Sequence, residues 1–288
     1  MSASTAEVTD QYGVVGHPVA HSWSPFIHGL FARETHQAMT YRLYDFTPLE
    51  FPERVRDFFK QGGRGLNITV PHKIAAVDVA HDLTARAAHA GAVNTFAVRN
   101  DGSLLGENTD GTGLVRDLCD NQGIVITHRR ILIIGAGGAS RGVLAPLLAL
   151  SPTEIVIANR TADRAEQLAK SFERLGNTKG VGFRNIAGGA FDLIINATSA
   201  SLSGDIPAVP TTVLRPDTVC YDMAYGKSDT PFTRWALKLG CPRALQGWGM
   251  LVEQAAESFR VWRGVRPATA PVLAALKERA MLPSMTAQ

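Results

Sequence analysis

Residues 130–140 impose the strongest constraint on this chain. Arg130-Ile-Leu-Ile-Ile134 is an aliphatic run, followed at once by Gly135-Ala-Gly-Gly-Ala-Ser140 and then by an apolar pattern that reaches Leu150. A short run of this composition suits a strand buried on both faces, the habit of parallel sheets covered by helices. Strand, glycine turn and helix in that order begin a βαβ series. Residues 154–158 read as its second strand, 162–175 as a helix, and 191–195 and 219–222 as further strands. The stretch 131–150 matches a membrane span in length, at about 20 residues. Arg141, the clustered glycines and Pro146 interrupt it, so it reads as strand plus helix.

The turn itself carries chemistry. Gly135 permits a tight bend, Gly137 lets a backbone approach a pyrophosphate, and the helix start at Gly138 and Ala139 offers free N–H groups and positive dipole. Ser140 takes the third position of the G-x-G-x-x-G pattern, where glycine or alanine is usual, and is still small enough for close packing. At the end of the next strand an NAD site carries an Asp or Glu for the ribose 2′-hydroxyl. Here the chain reads Ala158-Asn159-Arg160-Thr161, with Arg164 four residues after Arg160. Two guanidiniums stand where a carboxylate would, and guanidinium forks match phosphate geometry. The spacing predicts NADP rather than NAD.

Ahead of this series, residues 1–112 alternate between the two periods. Strands are expected at 12–15, 41–46 and 66–70, and helices at 25–36, 53–61 and 84–90, with Ser24 as the first helix's N-cap. Pro71 ends the third strand and suits the first turn of another helix, which puts Lys73 at the corner. The period of two sets Asn67 and Thr69 on one strand face, with Ile68 and Val70 on the other. Residues 93–98, the turn Asn100-Asp-Gly-Ser103 and Leu104-Leu105 read as a hairpin. If Asn100 pairs with Ser103, Asn94 faces Thr109 beside Asp110, and a one-residue bulge shifts this slightly. Closing helices are expected at 249–264 and 271–281.

At roughly 150 residues per domain, 288 residues suggest two. The net charge of +3 gives no electrostatic case for a nucleic-acid or membrane-surface partner. Cys119, Cys220 and Cys241 are odd in number and far apart in sequence, so neither a disulfide framework nor a zinc site is expected. Residues 1–11 lack a cationic start and an apolar core, hence no signal peptide is read there. A soluble cytoplasmic protein is the expectation. The eight histidines form no cluster with zinc-ligand spacing and read mostly as surface or helix-end residues; no metal is expected.

Taken in order, Val15-Gly-His-Pro-Val-Ala-His-Ser-Trp-Ser-Pro25, Asn67-Ile-Thr-Val-Pro-His-Lys73, Gly91-Ala-Val-Asn-Thr95 and Asn108-Thr-Asp-Gly111 resemble the motifs of shikimate dehydrogenases. So do the glycine turn, Asn159-Arg-Thr161 with Arg164, Asn196-Ala-Thr198, Tyr221-Asp-Met223, and Gly247-Trp-Gly-Met250 with Gln254. The resemblance implies two α/β domains with a cleft between them. Residues 1–112 plus 249–288 would form a substrate-binding domain with a mostly parallel sheet, and 113–248 a Rossmann-type NADP-binding domain. It also implies reversible oxidation of shikimate to 3-dehydroshikimate with NADP, on the route to chorismate and aromatic amino acids, by a monomer or homodimer.

By the same resemblance Lys73 and Asp110 would be the catalytic pair. Ser22 and Ser24 would bind the substrate carboxylate, and Asn67, Thr69, Asn94 and Gln254 the ring hydroxyls, with Tyr225 also near the substrate. Gly135, Ala136, Gly137, Gly138, Ala139, Asn159, Arg160, Thr161, Arg164, Thr198, Met223 and Gly247 would contact the cofactor. The chemistry suits these residue types: ketone reduction builds negative charge on oxygen and needs a proton donor in reach. Lys73 can donate, and Asp110 can orient it. In the oxidation direction Lys73 must accept the proton, so that rate should rise with pH.

The chain departs from the family pattern at Trp23, where Lys, Leu or Arg is frequent, and at Gln246, where Asp is frequent; Trp248 fills a variable position. Ser24, where quinate-preferring relatives often carry Thr, favours shikimate, as Arg160 and Arg164 favour NADP. The alternatives are a quinate or aminoshikimate dehydrogenase with the same machinery, and a noncatalytic ligand sensor.

Overall fold

The computed structural model describes residues 9–186, 189, 191–198, 200 and 204–282, so the N-terminal reading above lies outside the described residues through residue 8. The chain divides into two α/β units. One holds the described residues up to Thr109 together with Ala255–Val272. The other holds the described residues of Asp110–Gln254 and those from Leu273 to Leu282.

In the first unit, strands β1 (Asp10–Gly16), β2 (Met39–Asp45), β3 (Gly63–Ile68), β4 (Asp82–Leu83), β5 (Thr95–Val98) and β6 (Leu104–Glu107) lie in the order β2-β1-β3-β5-β6-β4. Among the described residues β5 alone runs against its neighbours, so the sheet is mostly parallel. Alternation along β3 sends Leu66 and Ile68 into a core with Val15, Phe51, Val55 and Phe96. Asn67, between them, turns to the opposite face. Helices α1 (Ser24–Glu34), α2 (Phe51–Lys60) and α3 (Ala85–Ala90) complete the series. Helix α3 shows both of its boundary signals at work: the Thr84 hydroxyl accepts from the Ala87 amide at 3.2 Å, and Gly91 ends it at φ 56°.

Three local expectations change. Helix α1 starts at Ser24, already helical with Pro25 behind it, and its N-cap is Trp23, whose side chain makes no cap. The Ser22 hydroxyl instead accepts from the Ser24 amide at 3.3 Å. After Pro71 there is no α-helix, only a 3-10 turn at Ala75–Asp78. In the hairpin Val98 pairs with Leu104 and Thr95 with Glu107, one residue off the expected register. The loop is Asn100-Asp101-Gly102: the Gly102 amide bonds to the Arg99 carbonyl at 3.0 Å and Gly102 itself takes φ 82°. A three-residue loop of this kind needs the left-handed position that glycine supplies.

The second unit has strands β7 (Arg130–Ile134), β8 (Glu154–Asn159), β9 (Thr178–Gly182), β10 (Leu193–Asn196), β11 (Val219–Asp222) and β12 (Arg243–Gln246). All pairs are parallel, in the order β12-β11-β10-β7-β8-β9, the doubly wound arrangement of a Rossmann-type sheet. Ile131 and Ile133 enter one core with Leu144, Leu147 and Leu168, while Leu132 and Ile134 enter the other with Phe191 and Phe232. Each of these four strand residues is fully buried, worth about 1.5–3 kcal/mol apiece before chain entropy is counted. Helices α4 (Asp110–Arg116, continued by a π-type turn at Asp117–Asn121), α5 (Gly138–Leu148), α6 (Ala162–Phe172), α7 (Pro231–Lys238), α8 (Trp248–Arg263) and α9 (Ala270–Met281) follow in the chain. Strands β9 and β12 and helix α7 were not expected from the sequence. Among the described residues no helix is long and apolar enough to cross a membrane. The three cysteines are free thiols.

Candidate active site

In the first unit the loop after β1 is tied to the end of β3: the His17 amide donates to the Val70 carbonyl at 3.1 Å, and the Thr69 amide to Val15 at 2.9 Å. The approach is close enough that a Cβ at Gly16 would overlap the Thr69 methyl. The two candidate carboxylate-binding hydroxyls meet, Ser22 Oγ donating to Ser24 Oγ at 3.1 Å. Trp23 packs edge-on against Phe26, centroids 6.1 Å apart.

Asn67 and Asn94 are buried in one polar network. Asn67 Oδ1 accepts from the Tyr41 hydroxyl at 2.7 Å, and its Nδ2 reaches Ser258 Oγ at 2.8 Å and Thr95 Oγ1 at 3.1 Å. Asn94 Oδ1 accepts from the Thr109 amide at 2.8 Å, while its Nδ2 donates to Thr109 Oγ1 at 2.8 Å. The hairpin's shifted register therefore leaves the expected Asn94–Thr109 partnership in place through side chains. Lys73 is half-buried in the turn after β3, where its carbonyl accepts from the Val93 amide at 2.8 Å. Asp110, buried, begins α4 in the second unit, next in sequence to the residue that Asn94 holds.

In the second unit Gly135 adopts φ 109° and its amide bonds to the Ala158 carbonyl at 2.8 Å. A side chain there would press on Thr198 and Ala197, so glycine is required twice over. Ser140 does more than fit the turn: fully buried, its hydroxyl donates to the Gly135 carbonyl at 2.8 Å and closes the loop on itself. Gly137 is the N-cap of helix α5 and offers no side-chain cap, and space is open on the side where its Cβ would sit. Ala136, Gly138 and Ala139 form the rest of this rim. The amides at that end are the groups a pyrophosphate would meet.

At the end of β8, Asn159 Nδ2 donates to the Thr161 carbonyl at 3.0 Å and shapes the turn into α6. Arg160 and Arg164 are exposed, and among the described residues neither is taken up by a carboxylate. Thr198 Oγ1 donates to Asn196 Oδ1 at 2.7 Å, and Asn196 Nδ2 in turn donates to Asp222 at 3.0 Å. The Gly247 amide bonds to Ala224 at 3.0 Å, and a Cβ at Gly247 would strike the Met223 carbonyl. Gln246 explains its own departure: its Oε1 accepts from the Gly226 amide at 2.7 Å and its Nε2 donates to Ser228 at 3.1 Å, bracing the loop that carries Tyr225. Tyr225 lies 4.6 Å from Trp248, ring to ring, and burial pushes its phenol up to about 12. Gln254, on α8, is packed against Gly113 and donates to the Leu251 carbonyl at 2.8 Å.

The glycine cradle, the uncapped helix start and the arginine pair fit a dinucleotide with a 2′-phosphate. Among the described residues no cluster of His, Cys, Asp or Glu could hold a metal ion. Two of the histidines are core residues rather than surface ones: His28 and His72 are buried, and burial lowers both pKa values. Sequence reading missed Tyr41 and Ser258. Tyr41 had one available signal, an amphipathic aromatic on β2, from which its hydroxyl reaches Asn67 past β1; Ser258 had none, since a serine within a helix pattern is unremarked.

Models of three family domains match the chain: the shikimate dehydrogenase substrate binding domain at residues 14–96, shikimate/quinate 5-dehydrogenase at 118–203, and the shikimate 5′-dehydrogenase C-terminal domain at 247–277. Over 93% of its length it is 54% identical to the shikimate dehydrogenase (NADP(+)) of Aeromonas salmonicida, covering 97% of that protein. The chain belongs to the shikimate dehydrogenase family. The relative from Methylococcus capsulatus, also a shikimate dehydrogenase (NADP(+)), is 53% identical over 93% of this chain and 96% of its own. Among solved structures, shikimate 5-dehydrogenase from Thermus thermophilus in complex with NADP(H) and shikimate superposes with TM-score 0.82 at 30% identity, over 94% of this chain and 100% of that one.

Proposed function

We propose that this member of the shikimate dehydrogenase family catalyses the reversible NADPH-dependent reduction of 3-dehydroshikimate to shikimate, on the route to chorismate and the aromatic amino acids. The observation that carries the reading is 54% identity to a shikimate dehydrogenase (NADP(+)) over 93% of the chain, whose sequence carries both Lys73 and Asp110. The first unit would bind the substrate and the second the cofactor. In the first unit Ser22 and Ser24 would hold the substrate carboxylate and Asn67, Thr69 and Asn94 the ring hydroxyls; from the second, Gln254 would serve a ring hydroxyl and Tyr225 is a further candidate substrate residue.

The glycine cradle, Thr198, Met223 and Gly247 would hold NADP, which would supply or take up the hydride. Arg160 and Arg164 would hold its 2′-phosphate, with Asn159 and Thr161 shaping that corner. As charge builds on the substrate oxygen during reduction, the Lys73 ammonium donates a proton to it, and Asp110 orients the donor and hydrogen-bonds the same oxygen. In the reverse direction Lys73 receives that proton. We place the enzyme in the cytoplasm, as a monomer or homodimer acting on a small molecule rather than on nucleic acid or a membrane.

One family model covers quinate as well as shikimate, so a quinate dehydrogenase is the second reading. Comparing kcat/KM for shikimate and quinate, each with NADP and NAD, separates the two. Shikimate with NADP should lead by at least tenfold. No turnover of shikimate with either cofactor would end the proposal, and a lead for quinate would replace it with the second reading.

A further inference from the structure

Ser258 is fully buried on α8, at a point where three elements of the first unit converge. Its Oγ lies 2.8 Å from Asn67 Nδ2 on β3, 2.8 Å from Thr95 Oγ1 on β5, and 3.2 Å from Thr109 Oγ1 just beyond β6.

Counting protons orders these contacts. The Asn94 backbone carbonyl, which can only accept, lies 3.3 Å from one end of the Asn67 amide and identifies that end as Nδ2, which also donates to Ser258, so the other end, Oδ1, accepts from the Tyr41 hydroxyl. The Thr109 amide likewise identifies Asn94 Oδ1, and the Thr95 hydroxyl gives its single proton to that oxygen at 2.9 Å. Thr95 Oγ1 is then left to accept from Ser258. The result is a head-to-tail chain from Asn67 Nδ2 through the hydroxyls of Ser258 and Thr95 to Asn94 Oδ1. Bonds in such a chain polarise one another; flipping Asn67 would set its oxygen against the Asn94 backbone carbonyl, and flipping Asn94 would set its nitrogen against the Thr109 amide.

We propose that Ser258 is a positioning residue for the substrate, locking the Asn67 and Asn94 amides in one sense and so fixing the hydrogen-bond pattern of this polar network. This rests on the proposed role of those two asparagines. Helix α8 thus contributes to substrate recognition through a residue that lies behind the binding groups.

The test is steady-state kinetics of Ser258→Ala and Ser258→Cys, in both substrates, with thermal unfolding recorded for each. Alanine removes the hydroxyl; cysteine keeps the volume but bonds weakly. Both variants should raise the KM for shikimate about tenfold, the loss of one oriented hydrogen bond, while the KM for NADP+ stays within about twofold. Simple destabilisation lowers the active fraction and leaves KM alone. An unchanged shikimate KM, an equal rise for both substrates, or a cysteine variant indistinguishable from the unmodified enzyme would each overturn the proposal. An unmodified enzyme inactive on shikimate would instead remove the functional reading beneath it.

Discussion

His28 lies flat against Tyr41, ring centroids 4.2 Å apart and planes 8° from parallel, and among the described residues neither nitrogen of this fully buried imidazole has a hydrogen-bond partner. Phe31, Phe259 and Trp262 surround the same ring. Burial pushes its pKa down to about 3; the nearby Asn67 side chain opposes this in part without reaching either nitrogen in hydrogen-bond geometry. In the unfolded chain the group titrates at about 6.5. Below that value the unfolded state takes up a proton that the folded state refuses, so stability falls as pH falls from about 6.5 toward 3 and is indifferent to this group above. About 2 kcal/mol should be lost between pH 7 and pH 5 through His28 alone. Urea unfolding at the two pH values, compared between the unmodified protein and His28→Phe, isolates it. Equal losses in both proteins would refute the assignment.

Lys73→Ala should lower kcat by about 100- to 10,000-fold, the range for removing a general acid–base, with shikimate affinity changed little. Equilibrium binding measured beside turnover tells this apart from a structural effect. A variant that retains most of its turnover rules out Lys73 as the proton donor.

Arg160→Ala combined with Arg164→Ala should raise the KM for NADP+ by roughly 10- to 100-fold, since in the proposed site each guanidinium would make charge-assisted bonds to the 2′-phosphate. The KM for NAD+, which has no such phosphate, should stay within about threefold. Equal losses with the two cofactors would show that the pair does not read the phosphate.

Gly180 on β9 passes so close to α6 that a Cβ there would overlap the backbone of Ala165 and Glu166. Backbone cannot swing aside as a side chain can, so Gly180→Ala should cost about 1–3 kcal/mol of stability. Chemical denaturation reads it directly, and an unchanged midpoint would mean that the helix shifts without penalty.

Gly180 also shows why part of the fold was hidden in the sequence. Thr178-Lys-Gly-Val-Gly182 carries two glycines, a composition that reads as a loop, yet it pairs with β8 residue for residue. The glycines serve the helix packed above, which no local pattern reveals. Strand β12 is four residues long and nowhere fully buried, so it lacks the aliphatic signature of β7. Helix α7 was more accessible to sequence reading. Thr230 caps it by accepting from the Thr233 amide at 3.2 Å, with Pro231 at its first turn, and Thr-Pro is the usual mark of such a start.

The sequence by itself determined the βαβ series at Arg130–Ile134, the alternation that separates Asn67 from Leu66 and Ile68, and the arginines at the end of β8. These are local matters: burial on both faces needs an unbroken aliphatic run, a strand alternates its faces, and a glycine turn is written in consecutive residues. Tertiary structure alone decided the one-residue shift of the hairpin, the Ser140 bond that closes the glycine turn, the burial of His28, and the chain of hydroxyls from Asn67 to Asn94. Each depends on which groups folding brings within about 3 Å. Asn67 and Ser258 lie 191 residues apart in sequence, and no periodicity reaches that far.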